Sequence, residues 1–108
     1  MQPTAAMTYV SRLLFATQPG HTHEVEEKLK ELRDIVAEEG GTPPRVLRGH
    51  YASPGAPDLI FEQEAPDLST LESEIGAVTG DPRFRTLSQE ISGLLAGTSK
   101  REVYQIID

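Results

Sequence analysis

Residues 9–17 read YVSRLLFAT, a run rich in β-branched and aromatic side chains. Alternation along a strand puts Leu13 and Phe15 on one face, with Val10 and Leu14 on the other. A strand that is apolar on both sides needs a layer above it and a layer below. Any fold for this chain must therefore set residues 9–17 inside a sheet that is covered twice.

Pro19 and Gly20 end this first strand. Residues 22–39 then place Val25, Leu29, Leu32 and Val36 at alternating spacings of four and three, one apolar stripe on a helix. Thr22 is the expected N-cap, with Glu24, Glu26 and Glu27 in the first turns, and Gly40–Gly41 supply a left-handed termination. Glu24 with Lys28 and Glu26 with Lys30 make i,i+4 pairs on the solvated side.

Beyond Pro43–Pro44, residues 45–51 (RVLRGHY) and 58–64 (DLIFEQE) read as a hairpin joined by the turn-rich segment 52–57. Symmetric closure of that turn sets Tyr51 opposite Asp58, Leu47 opposite Glu62 and Arg45 opposite Glu64. Ser69 and Glu72 form a capping box ahead of Leu71, Ile75 and Val78. Gly80 interrupts that helix, and Asp81-Pro82 open a second helical piece through Phe84, Leu87, Ile91, Leu94 and Leu95, as far as Gly97. Residues 101–107 (REVYQII) are too few for a well-buried helix and read as the closing strand.

With no repeat and no change of composition along its length, the chain is expected to be one domain over residues 8–108, after a flexible leader at 1–7. A net charge of −7 works against binding to nucleic-acid backbones or anionic membranes. There is no cysteine, hence no disulfide, thiolate nucleophile or cysteine-ligated metal. Nor is there an apolar run of membrane-spanning length or a signal-like start, and a cytoplasmic protein is expected.

Four strands with helical crossovers after the first and the third give β-α-β-β-α-β, an α+β arrangement with a four-stranded antiparallel sheet and all helices on one face. The second crossover is made of two helical pieces. Strand three carries Leu59, Ile60 and Phe61 in succession, so the face away from the helices also requires cover. A second copy related by a twofold axis supplies it most economically.

These features resemble the dimeric α/β-barrel, ferredoxin-like superfamily, in particular its NIPSNAP-like and antibiotic-biosynthesis-monooxygenase-like branches. The resemblance spans residues 9–107 and is carried by the order of punctuation. A first strand ends in Gln18-Pro19-Gly20, a glycine interrupts the second, and Ile60-Phe61-Glu62 lie in the third. Asp67-Leu68-Ser69-Thr70-Leu71 and Asp81-Pro82-Arg83-Phe84 follow. The resemblance implies a homodimer paired sheet to sheet and a ligand pocket between each sheet and its own helices. It covers cofactor-free monooxygenases, isomerases and non-catalytic proteins alike; this chain has no tryptophan, on which some of those monooxygenases rely.

The leading expectation is thus a small-molecule-binding homodimer without cofactor, taking a small apolar or acidic organic ligand, with Arg12, His50, Tyr51 and Tyr104 as candidate ligand-binding residues. The alternative is a cofactor-independent monooxygenase or isomerase using His50 or Glu62 as general base, and a third reading is a non-catalytic dimerisation or interaction protein. Arg12, flanked by Val10 and Leu14, needs a partner among apolar neighbours. Pairing with Glu62 or Glu64 serves either a pocket or an ion pair at the dimer interface, and the interface is preferred. No metal site is expected: His21 and His23, two apart on a helical turn, point about 200° from each other.

Overall fold

The computed structural model describes residues 8–108. The leader expected at 1–7 lies outside the described residues. Strand β1 (Thr8–Phe15), helix α1 (Thr22–Glu38), strands β2 (Arg45–Arg48) and β3 (Leu59–Ala65), helices α2 (Leu68–Thr79) and α3 (Pro82–Ser92), and strand β4 (Lys100–Ile106) follow in that order. The sheet runs β2-β3-β1-β4, antiparallel throughout, so the first strand is interior as its two apolar faces require.

All three helices pack on one face. Val25, Leu29, Leu32, Ile35 and Val36 of α1 meet Phe15, Leu59 and Phe61 of the sheet, with Val78, Leu87 and Ile91 closing the core. Val25, Leu29 and Leu59 are completely buried, each worth roughly 1.5–3 kcal/mol of transfer free energy.

Several local details differ from the sequence-based expectations. Thr22 is the first residue of α1 and not its cap; His21 holds that position without a side-chain bond, and the Thr22 hydroxyl meets that of Thr17 at 2.6 Å. In α2 the cap is Asp67 and not Ser69: its carboxylate accepts from the Thr70 amide at 2.7 Å, so the expected capping box begins two residues late. Asp81 and Pro82 act as expected, the carboxylate accepting from the Arg83 amide at 2.8 Å. Helix α3 stops at Ser92, and Leu94 and Leu95 leave it to reach strand β1's end, where Leu95 bridges Thr17. Lys28 pairs with Glu90 of α3 and Lys30 with Glu27, in place of the expected i,i+4 partners. Gly40, at φ +85, does terminate α1 as expected.

The hairpin register is offset by two. Arg45 stands opposite Glu62 and Leu47 opposite Ile60. A further bond from the Gly49 amide to the Asp58 carbonyl leaves eight residues, not six, in the connection. Because side chains alternate with a period of two, this shift keeps every residue on its expected face. It does remove His50 and Tyr51 from the strand.

Candidate functional site

The helix-facing side of the sheet carries Ser11, Leu13 and Phe15 of β1, Leu59, Phe61 and Gln63 of β3, and Arg101 of β4, since these are cross-strand partners or in phase with them. Three of these side chains are polar on a face built for a core. Ser11 is 2% exposed, and Gln63, also buried, donates to the Glu74 carboxylate of α2 at 2.9 Å. Arg101 reaches inward, its Nη1 donating to Ser11 Oγ at 2.7 Å.

Two voids open beside this row. A small one of about 30 Å³ lies under α2 against Ser11 and Gln63. A groove of about 490 Å³ runs between β1, α3 and the segment leading into β4. Leu13, Leu32, Phe84 and Arg101 border both. Phe15, Ile91 and Leu95 supply the rest of the apolar wall, and Ser88, Ser92, Thr98 and Ser99 supply hydroxyls. Arg101 is the sole ionisable group on the groove's lining. Although Arg101 is exposed as a whole residue, partial desolvation of its guanidinium lowers the pKa from the ordinary arginine value, and among the described residues no carboxylate pairs with it.

The opposite face presents Val10, Arg12 and Leu14 of β1, Ile60, Glu62 and Glu64 of β3, Arg45 and Leu47 of β2, and Lys100, Glu102, Tyr104 and Ile106 of β4. Glu62 is 3% exposed, held by Arg12 Nε at 2.8 Å and by the Arg45 guanidinium on its other oxygen. Burial favours the protonated acid, yet the hydrogen bonds from Arg45 and then Arg12 outweigh it and keep the carboxyl below its usual range. Arg12 also lies 5.3 Å from the centre of the Tyr104 ring, a cation–π contact, while the Tyr104 hydroxyl donates to Glu102. That hydrogen bond, with some burial, raises the phenol's pKa.

The residues singled out from sequence therefore fall into separate places. Arg12, Glu62, Glu64 and Tyr104 share the face away from the helices, and the Arg12–Glu62 pairing is formed. Glu64 is exposed and makes no bond with Arg12. His50 was expected on the second strand but lies in the exposed connection after it, edge-on to Tyr51 with ring centres 4.6 Å apart, and Tyr51 is 95% exposed. Neither lines the groove.

Ser11, Gln63 and Arg101 were missed by the sequence reading. Their signal was a polar residue in phase with Leu13 and Phe15, or with Leu59 and Phe61, where the alternation calls for another apolar side chain. For metal ligation, His23, Glu26 and Glu27 bring donor atoms within 4.8 Å of one another on the surface of α1. Glu26, however, is bound by Arg48, whose hydrogen bond keeps its carboxyl ionised below the usual range despite burial. No helix of the described residues is long and apolar enough to cross a membrane.

No protein-family model matches the chain, and no curated protein sequence matches it. Solved structures do. A protein of Nitrosomonas europaea described as a candidate antibiotic biosynthesis monooxygenase superimposes with a TM-score of 0.68 at 12% identity, over 96% of this chain and 93% of that one. A NIPSNAP family protein of Agrobacterium tumefaciens gives 0.65 at 17% identity, covering 90% of each. An anthrone oxidase-like protein gives 0.78 at 15% identity over 100% of this chain, which spans 48% of that longer one. At such identities the likeness shows the fold: a ferredoxin-like α+β sheet, shared with antibiotic-biosynthesis-monooxygenase and NIPSNAP structures, as the order of sequence features implied.

Proposed function

We propose that this chain is a homodimeric small-molecule-binding protein that holds its ligand between the sheet and its own helices. The observation that carries the reading is the groove of about 490 Å³ beside α3, within the size range of small-molecule sites, where an apolar wall is edged by four hydroxyls and Arg101.

The second copy is supported by the face away from the helices. Leu14, Leu47 and Ile60, each half-buried, form an apolar strip across three strands, and Tyr104 and Ile106 on the fourth remain 46% and 39% exposed. Arg12, Arg45 and Lys100 are matched there by Glu62, Glu64 and Glu102, a balance suited to a twofold interface in which the patch meets itself. In this arrangement the Arg12–Glu62–Arg45 cluster fixes the register of two sheets. A cytoplasmic setting belongs to the same proposal and accords with a sequence free of cysteine.

A monooxygenase or isomerase is the second reading, and the likeness to antibiotic biosynthesis monooxygenase structures favours it. It requires a base near the ligand. The groove's lining contains no carboxylate, imidazole or phenol; His50 lies in a remote exposed connection, and Glu62 is on the other face of the sheet, already bonded by two arginines. Binding without general-base chemistry is therefore preferred. A pure interaction protein would have no use for the groove.

A thermal-shift screen of the purified protein against small organic metabolites tests the reading. Compounds that raise the melting temperature are expected, and Ser92→Trp, which fills the groove from an exposed wall position, is expected to abolish those shifts. Shifts that survive Ser92→Trp, or a screen with none, would overturn it.

A further inference from the structure

We infer that the groove receives an organic anion, an apolar body bearing one carboxylate or comparable oxyanion, with Arg101 as its counter-ion; this rests on the pocket reading above.

The sheet carries four arginines, and three of them are neutralised. Arg12 and Arg45 bind Glu62, and Arg48 binds Glu26. Arg101 has only the Ser11 hydroxyl, a neutral acceptor, although the chain as a whole carries seven more acidic than basic groups. A guanidinium has five N–H donors in a rigid fork, of which one is engaged here. Arg101 lines the groove, and the fork of its free donors matches the planar, two-oxygen geometry of a carboxylate.

Placement strengthens the case. Arg101 is exposed as a whole residue, and its bond to the buried Ser11 hydroxyl ties one end of the guanidinium to the helix-facing side of the sheet, beside Leu13 and Phe84 on the groove's lining. An ion pair formed against the groove's apolar wall is stronger than one surrounded by water on every side. Acidic groups elsewhere on the molecule repel anions only weakly at physiological salt, where screening acts within about 8 Å. Leu13, Phe15, Phe84 and Leu95 then offer flat apolar contact to the body of the ligand, and the hydroxyls of Ser88 and Ser92 on α3 face it across the groove.

The test uses two probes of one shape, 2-naphthoate and the neutral 2-naphthamide, titrated calorimetrically into the intact protein at pH 7.5. The wild type is expected to bind the carboxylate more tightly by about tenfold, the usual value of one charge-assisted hydrogen-bonded pair. Arg101→Met is expected to lose that preference while keeping its affinity for the amide, and Arg33→Met, altered on α1 outside the groove, to retain it. Arg101→Gln repeats the loss in a polar variant, with folding of each protein verified by its melting transition. Equal affinity for the two probes in the wild type, or a preference that survives both Arg101 substitutions, would overturn the inference and leave the pocket standing. Failure of both probes to bind would remove the pocket reading together with it.

Discussion

Arg12 Nε lies 2.8 Å from a carboxylate oxygen of Glu62, directly across the β1–β3 ladder, although fifty positions separate the two in sequence. Arg45, from the neighbouring strand, binds the other oxygen. The carboxylate is almost wholly buried by these two guanidiniums on a face that no helix covers. Together the three side chains tie β1 and β3 to each other and to the edge strand β2.

Stability should consequently depend on Glu62 at acid pH. Its folded pKa is depressed, so the unfolded chain takes up the proton more readily, and protonation favours unfolding. The contribution is complete above the ordinary glutamate pKa of about 4.3 and is lost as the pH falls through the lower folded value. Glu62→Gln should lower stability at pH 7 by about 1–3 kcal/mol, and the gap to wild type should shrink below pH 4. Urea titrations at pH 7 and pH 3 measure this; a gap that stays constant between them would contradict it.

The apolar strip around Ile60 should hold two copies together. Light scattering at micromolar concentration should give twice the chain mass of 11.8 kDa. Ile60→Lys, placing a charge in the centre of that face, should return the mass to one chain while circular dichroism remains native. A wild-type protein that is monomeric throughout would refute the pairing.

Leu59 is completely buried between the sheet and the helices, whereas Ile60, its neighbour, points the other way. Leu59→Ala should therefore destabilise the fold by about 2–5 kcal/mol. In a protein already made monomeric by Ile60→Lys, Leu47→Ala on the open face should cost under about 1 kcal/mol, because little packs on it there. Comparable losses at the two positions would show that the faces are wrongly assigned.

The start of α2 offers a direct discrimination between two caps. Asp67→Ala should cost about 1 kcal/mol through loss of its bond to the Thr70 amide. Ser69→Ala, within the first turn and without a capping bond, should be close to neutral. The same bond lowers the Asp67 pKa, so its contribution should also fade as the carboxyl is protonated in acid.

Much of this was legible in the residues. Element order and type followed from periodicity: the stripe of Val25, Leu29, Leu32 and Val36, the alternation in β1, and Asp81-Pro82 at the head of α3 each act as their spacing implies. The errors lie where two chemically adequate choices compete. Asp67 and Ser69 are both good caps, and only the approach of the chain from β3 selects one. A six- or an eight-residue connection closes the hairpin equally well in the abstract; the Gly49–Asp58 bond, with Asp58 also accepting from the Thr17 amide at 2.8 Å, selects the longer.

The candidate site was less legible, and the reason is physical. Neighbouring strands in phase share a side, so the β1–β3 register sets Arg12 beside Glu62, whereas alternation alone assigns each residue only to a face of its own strand. It says nothing about which charges find partners. By sequence, Arg12 stands out between Val10 and Leu14 in phase, whereas Arg101 lies between Lys100 and Glu102 and draws no notice. Tertiary structure alone gives Arg12 a buried carboxylate and gives Arg101 only a hydroxyl beside an open groove, because pairing depends on which strands become neighbours and on where α3 leaves space. The sequence by itself determined a two-faced sheet that helices cover once; the packing of those helices decided where on it a ligand has room.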